Sequence, residues 1–234
     1  MDRTNAYKNF SLNVDRLVEL FRFIDAQIDV TNQEVIPQLR DNLSSAKEKD
    51  DVYGMGAALG KYLSIKAMTN FQFQWYAVML VTLTEAYLQD VLSYYASIDQ
   101  KFMNDSEQKA TYQEIVSAES TETLAQELRE RWARNFIDKG GPKLWIEKLY
   151  RMGARGYADD LADQMELLWG IRHVVVHRAG KVSNDFVRRH SELGYSRGDE
   201  IKLDGDQIAA YAISVIEFVK TTDGYFCSRY NAQI

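Results

Sequence analysis

The stretch that decides the fold is residues 70–97, NFQFQWYAVMLVTLTEAYLQDVLSYYAS. Its apolar side chains return every three or four positions, which is the period of an α-helix. The sequence therefore predicts one continuous helix, long enough to be the central helix of a bundle. The stripe that we expect to face the core consists of Trp75, Val78, Met79, Thr82, Leu83, Ala86, Tyr87, Val91 and Tyr94.

Proline is scarce in the rest of the chain as well. Only Pro37 and Pro142 occur in 234 residues, where average usage gives about 12, so few positions force a helix to end. We expect an all-α fold, a helical bundle with a short extended segment, EIKL at 200–203, before the last helix. Residues 183–198 are expected to form a polar, basic loop.

Capping residues predict where the helices begin. The expected starts are an N-cap at Ser11, an N-cap at Thr31, an N-cap at Ser120, a first turn at Pro142, a start near Tyr157 and an N-cap at Asp204. The glycine-rich stretch GMGAALG at 54–60 lacks the Gly-Lys-Ser/Thr that follows a phosphate-binding loop. A helix start with closely packed small residues is the favoured interpretation there.

Composition is typical of an ordinary globular protein, with 46% apolar and 26% charged residues and a mean hydropathy of −0.38. No apolar run approaches the ~18 residues of a membrane span, and the first residues do not resemble a signal peptide. The single cysteine, Cys227, fits a reducing compartment. We expect a cytoplasmic protein with one helical domain over 1–234, in which about 1–60 form an N-terminal helical extension.

Charge is distributed unevenly along the chain. The net charge of −6 and the pI of about 5.2 argue against binding to nucleic acid when taken alone. Residues 129–197, however, contain 14 lysines and arginines against 9 acidic residues, whereas the remainder contains 14 against 25. All three histidines, His173, His177 and His190, lie in this basic segment. Imidazole chemistry near neutral pH can come only from there.

The candidate site is the motif IRHVVVHRAG, in which Arg172 and His177 are separated by four residues. An arginine binds phosphate oxygens and a histidine moves a proton at neutral pH. RNA supplies its own nucleophile, the 2′-OH, so cleavage needs no metal and no cofactor. On a regular helix Arg172 and His177 are about 140° apart and do not share a face. A structural role, with Arg172 paired to Glu166 or Asp163 and His177 hydrogen-bonded in the core, is the alternative.

A second alternative is a metal site. His173 and His177 share one helical face, and Glu166 lies on the same stripe, an arrangement that could bind a metal ion. The remaining polar and aromatic candidates are expected to have other roles. We expect His190 to be a surface residue, and Glu85 and Asp90 to have structural roles. The tryptophans are expected to be packing residues rather than base-stacking platforms: Trp132, Trp145 and Trp169.

Two segments resemble the HEPN superfamily, whose ribonuclease members carry an arginine, four to six residues and then a histidine. The first is LLWGIRHVVVHRAGKVSNDF at 167–186, and the second is WYAVMLVTLTEAYLQDVL at 75–92, which is similar to the long helix of such domains. The short extended piece before a final helix is a further similarity. His173 is a departure, since that position is commonly another polar residue, often Asn. The resemblance covers about 71–224.

The resemblance implies a homodimer in which two Arg-x4-His motifs form a composite RNA-cleaving site. Arg172 would hold the scissile phosphate, His177 would act as general base or acid, and His173 would orient the phosphate or carry the second proton. The basic residues expected to meet RNA are Arg178, Lys181, Arg188, Arg189 and Arg197. Such ribonucleases are often toxins or antiphage-defence effectors, which implies an antitoxin or regulatory partner protein. The alternative function is a HEPN-like module that binds RNA, nucleotide or protein without cleavage.

Overall fold

The computed structural model of the chain describes residues 3–48, 52–99 and 109–230. Its helices are α1 (Asn5–Val30), α2 (Ile36–Glu48), α3 (Val52–Ile98), α4 (Tyr112–Ser117), α5 (Thr121–Asp138), α6 (Pro142–Met152), α7 (Leu161–Arg178), α8 (Asn184–Arg189) and α9 (Gly205–Tyr230). In these residues the β pairing is a single bridge between Lys181 and Glu200. The predicted all-α bundle with a short extended segment before the last helix is confirmed.

The central helix of the bundle is α3, which packs against α1, α2, α5, α7 and α9. The long helix predicted around 70–97 is confirmed, but the stripe expected to face the core is largely wrong. Trp75, Met79 and Tyr94 are 50%, 38% and 40% exposed. Apolar residues cover most of the circumference of this helix, so periodicity alone does not identify the buried face. The buried positions in the described side chains of this helix are Phe73, Gln74, Tyr76, Ala77, Leu80, Val81, Thr84, Tyr87, Leu88, Val91, Leu92, Tyr95 and Ala96.

The first helix begins earlier than the predicted cap at Ser11. Its N-cap is Thr4, whose hydroxyl accepts a hydrogen bond from the Tyr7 N–H and donates one to the buried carboxylate of Asp223 in α9. This contact with a residue over 200 positions away determines where the helix starts. Phe10 and Val14 then join the main core, so the N-terminal helix packs as part of the bundle.

The sequence predicted that Thr31 begins a new helix, and this prediction is wrong. The Thr31 hydroxyl donates to the Gln27 carbonyl at 2.8 Å, and a π-helical turn over Thr31–Val35 joins α1 to α2. The hydroxyl is used within the helix instead of capping a new one. The glycine-rich stretch at 54–60 lies inside α3, so it is helical and does not form a phosphate-binding loop.

In the second half of the chain most predicted boundaries are confirmed. Ser120 caps α5, Pro142 opens α6, and the Asp204 carboxylate accepts a hydrogen bond from the Gln207 N–H at 2.8 Å. Two expectations are wrong. The seventh helix begins at Leu161 rather than near Tyr157, because Tyr157 instead packs against Phe218 of α9.

The second wrong expectation concerns 183–198, which was predicted as a loop. It contains α8 and a 3-10 turn over Ser191–Leu193, because Phe186 of α8 is buried in the core. None of the helices in the described residues has the length and apolar character needed to cross a bilayer.

Candidate functional site

The candidate site is built on α7. Met165, Leu168, Ile171 and Val174 are buried and fix this helix against α3, α6 and α9. It ends at Ala179 and Gly180, which both have positive φ, so His177 and Arg178 occupy the last turn. Positive charge is favoured there because the backbone carbonyls of a helix C-terminus carry partial negative charge. The run of three valines is helical, not a strand.

Arg172 points towards α3. Its Nη2 atom lies 3.9 Å from Oε2 of Glu85, and the side chain is 31% exposed. Its Nε atom is shielded from solvent and has no hydrogen-bond partner. The alternative pairing with Glu166 or Asp163 is wrong, since Asp163 pairs with Lys143 at 2.5 Å. Arg172 is thus held loosely by one carboxylate.

Glu85 has two polar neighbours in this region. Burial raises the pKa of its carboxyl, while the charge of Arg172 and a hydrogen bond from Trp169 act in the opposite direction. The net upward shift shows that neighbouring donors do not fully replace the water lost by this carboxylate. The sequence expectation of a structural role for Glu85 is compatible with this geometry, but its charge also bears directly on Arg172.

His173 and His177 form a pair on the exposed face of α7. Their ring centroids are 4.7 Å apart with an interplanar angle of 48°, and both side chains are exposed. Partial desolvation lowers the pKa of His173, and the charges of His177 and Arg172 lower it further. Desolvation and the neighbouring positive charges thus favour the neutral form of His173.

Within one chain, the structure does not bring Arg172 and His177 together. Helix α7 is α-helical from Leu161 to Arg178, so these two residues remain about 140° apart around its axis. The pair that is assembled is His173 with His177. For Arg172 and His177 to act on the same phosphate group, a second surface would therefore have to take part.

A cleft of about 420 Å³ lies beside the histidine pair. It is bounded by the end of α5, the turn at Gly140–Gly141, α7 and α8. Its lining comprises Asp138, Gly140, Gly141, Glu166, Trp169, Gly170, His173, Val174, Ser183, Asp185, Phe186, Arg189 and His190. His173 thus belongs both to the cleft and to the histidine pair. This cleft was not predicted from the sequence, because its walls come from segments that are separate along the chain.

His190 is not the surface residue that the sequence predicted. It is buried, its ring lies 4.8 Å from that of Phe186, and its Nδ1 atom is 3.8 Å from Glu192. Burial lowers its pKa. A Cβ on residue 170 would come within 3.0 Å of the imidazole, so Gly170 permits the close approach of α8 to α7. The spacing of four between Phe186 and His190 was the available signal for a shared buried face.

The basic residues predicted to meet RNA fall into two groups. Arg188 and Arg189 both pair with Asp185, at 2.5 and 2.9 Å, so much of their charge is neutralised locally. Arg178, Lys181 and Arg197 are exposed and have no ion-pair partner within 3–48, 52–99 or 109–230. Arg178 and Lys181 form the basic surface next to the end of α7.

The alternative metal site is not assembled. In the part of the chain that the structure describes, no three His, Cys, Asp or Glu side chains come together in an arrangement that could hold a metal ion. Glu166 instead packs against Gly141, where an added Cβ would collide with its carboxylate. The sequence stripe of Glu166, His173 and His177 therefore does not become a ligand set.

Comparison with known proteins does not assign this chain to a family. No protein-family model, curated protein or solved structure matches the chain significantly. The fold is an all-α helical bundle in which the exposed His173 and His177 and the partly exposed Arg172 lie near the end of α7.

Proposed function

We propose that this protein is a metal-independent endoribonuclease of the HEPN type. The observation that carries the proposal is the exposed His173–His177 pair, 4.7 Å between ring centroids, on the same helix as Arg172, whose side chain is 31% exposed. A base, an acid and a phosphate-binding cation are the groups needed to cleave RNA through its own 2′-OH. All three occur within one and a half turns of α7.

The reaction would proceed by in-line attack. His173, whose pKa is lowered by partial desolvation and by neighbouring positive charges, takes the proton of the 2′-OH as the 2′ oxygen bonds to phosphorus. The bond from phosphorus to the 5′ oxygen breaks, and His177 donates a proton to that leaving oxygen. Arg172 stabilises the negative charge on the phosphoryl oxygens. The products are a 2′,3′-cyclic phosphate and a 5′-hydroxyl end.

A second copy of the chain would complete the site. Arg172 and His177 diverge around the helix, so the arginine of one protomer complements the histidine of the other. An apolar stripe on α3 supplies a surface for such a homodimer: Met68, Phe71, Trp75 and Met79 recur at helical spacing and are 64%, 56%, 50% and 38% exposed. A continuous exposed stripe of this kind is typical of a protein interface.

RNA would approach along the basic surface formed by Arg178 and Lys181, with Arg188 and Arg189 contributing where Asp185 leaves them free. The resemblance noted in the motif favours a toxin or antiphage-defence effector that acts in the cytoplasm. An effector of this type requires an antitoxin or regulatory partner protein to hold its activity off.

The test is incubation of purified protein with total RNA in excess EDTA. We expect cleavage to persist and to leave 2′,3′-cyclic phosphate ends. Arg172→Ala and His177→Ala should each reduce the rate at least about 100-fold, as expected for loss of a phosphate clamp or a proton carrier. Arg151→Ala is the matched control, because Arg151 is an exposed arginine on α6 that pairs with Glu147.

Two results contradict the proposal. Cleavage abolished by EDTA and restored by a divalent cation would point to a metal-dependent enzyme. A dimeric protein that binds RNA but leaves it intact under all conditions would instead be the non-catalytic HEPN-like binding module.

A further inference from the structure

The end of α7 is tied to the extended segment at 200–203. Helix α7 ends at Arg178, so His177 lies in its last turn. Two residues after the helix, the carbonyl of Gly180 accepts a hydrogen bond from the N–H of Ile201 at 2.9 Å. Ile201 is 1% exposed, which anchors the segment in the core. The position of the helix end therefore depends on the contacts that hold 200–203.

Two side-chain amides of α3 hold this segment. Nε2 of Gln74 donates a hydrogen bond to the carbonyl of Ile201 at 2.9 Å, and Nδ2 of Asn70 donates to the same oxygen at 3.0 Å. Oδ1 of Asn70 accepts a hydrogen bond from the N–H of Leu203 at 3.1 Å. The amide of Asn70 thus pairs with the extended segment as a residue of a neighbouring strand would. We call Asn70 and Gln74 the amide clamp.

Gln74 also packs directly against the end of α7. Gly180 has a φ of +78°, and a Cβ added there would come within 3.2 Å of the Gln74 amide. Gln74 is 5% exposed, so this contact is buried and the amide has little freedom to move. Gln74 therefore touches both partners of the hydrogen bond that joins Gly180 to Ile201.

Helix α3 thus acts on α7 at two levels. Glu85 of α3 lies 3.9 Å from Arg172, and Gln74 is eleven positions earlier in α3, which is about 16 Å along the helix axis. The first contact concerns the arginine that holds the phosphate in the proposed reaction. The second contact concerns the helix end that carries His177. One rigid helix therefore sets the positions of both groups.

We propose that Asn70 and Gln74 are positioning residues for His177, which they hold in place through the segment at 200–203. This inference rests on the proposed ribonuclease function. An imidazole has two side-chain torsions and follows its backbone closely, whereas the long side chains of Arg178 and Lys181 reach a phosphate from several backbone positions. Loosening the amide clamp therefore impairs proton transfer by His177 more than it impairs RNA binding.

The first experiment compares Gln74→Met with Gln89→Met. Both changes remove an amide of α3 that donates to a backbone carbonyl, but Gln89 donates to Glu130 of α5 at 3.0 Å and does not contact the end of α7. We expect kcat for RNA cleavage to fall about 10-fold or more in Gln74→Met, while KM changes less than about threefold. Gln89→Met should keep both constants within about twofold of wild type. An unchanged kcat in Gln74→Met, or an equal loss in Gln89→Met, would overturn the proposal.

A second variant tests the clamp at a position that is less buried. Asn70 is partly exposed, and Asn70→Asp keeps the size of the side chain and the acceptor for the N–H of Leu203. It loses the donor to the carbonyl of Ile201. We expect kcat to fall about fivefold or more with KM again within about threefold of wild type. A wild-type kcat in Asn70→Asp would contradict the proposal even if Gln74→Met fails to fold.

Hydrogen exchange separates the two proposals, because it needs no RNA. We expect the backbone amides of the last turn of α7, residues 175–178, to lose protection about 10-fold in Gln74→Met and to keep it in Gln89→Met. This loss of protection in a protein that cleaves no RNA would contradict the ribonuclease proposal and support the amide clamp. Cleavage of RNA by wild type, together with unchanged protection in Gln74→Met, would overturn the amide clamp alone.

Discussion

Arg172 has an electrostatic environment that depends on one residue of another helix. Glu85 lies 3.9 Å away, beyond hydrogen-bond distance, and accepts a hydrogen bond from Trp169. Both side chains of the pair are roughly 30% exposed, and such pairs contribute little to stability. If Arg172 binds phosphate as proposed, the more important effect of Glu85 is that its negative charge opposes that binding.

Replacing Glu85 with glutamine should therefore strengthen RNA binding. We expect the KM for RNA to fall about two- to fivefold and the free energy of unfolding to change by less than about 1 kcal/mol. Steady-state kinetics at two salt concentrations, together with urea unfolding, would measure both quantities. If kcat falls sharply while KM is unchanged, Glu85 orients Arg172 for catalysis and does not compete with the substrate.

At the scale of the element, α8 shows how a short helix is held in place. Phe186 is buried in the core and His190 packs on it, with Gly170 of α7 allowing the close approach. The groups that face His190 are Glu192 and Glu166, which raise its pKa, and Arg189 and Lys143, which lower it. Burial is the largest effect, and the net shift is downward.

This shift makes the docking of α8 sensitive to acid. Since the folded pKa of His190 lies below its unfolded value of about 6.5, the unfolded chain binds the proton more readily. The stability contributed by the neutral imidazole is complete above about pH 6.5 and is lost as the pH falls below it. We expect His190→Gln to lose about 1 kcal/mol at pH 7 and to show a shallower decline between pH 7 and 5.

Urea unfolding of wild type and His190→Gln at pH 7, 6 and 5 measures these slopes. Parallel curves would mean that other groups account for the acid sensitivity. Measuring protection of the α8 backbone by hydrogen exchange at the same three pH values would show whether the loss is local to this helix.

At the scale of the whole molecule, the proposed symmetric dimer would account both for the exposed stripe on α3 and for the divergence of Arg172 and His177. In such a dimer each site takes its arginine from one chain and its histidine from the other. A heterodimer of Arg172→Ala with His177→Ala then contains one intact site and one that lacks both residues.

Co-expression of these two inactive variants should restore cleavage. With random pairing, half of the dimers are heterodimers, and each heterodimer has one working site out of two. We therefore expect about a quarter of the wild-type rate. If co-expression does not restore cleavage, each chain uses its own arginine and histidine. Trp75→Glu tests the interface itself: we expect a monomer in sedimentation velocity and no restored activity.

The sequence predicts many local features of this protein, although the helix starts expected at Ser11, Thr31 and near Tyr157 are wrong. The helices around 70–97 and 120–139, the cap at Asp204 and the concentration of histidines in a basic segment all depend on neighbouring residues. Helix periodicity, capping and composition act over a few positions, so they can be recognised without a fold. The assignment of an RNA-cleaving role to Arg172 and His177 remains a prediction that rests on the same local motif.

Only the tertiary structure decides which surfaces meet. The buried face of α3, the start of α1 at Thr4 opposite Asp223, and the burial of His190 each depend on residues far apart in the chain. Glu85 became the neighbour of Arg172, and the cleft beside the histidine pair formed, for the same reason. Local patterns determine that a segment is helical. Packing between helices selects its buried side and so brings the residues of the site together.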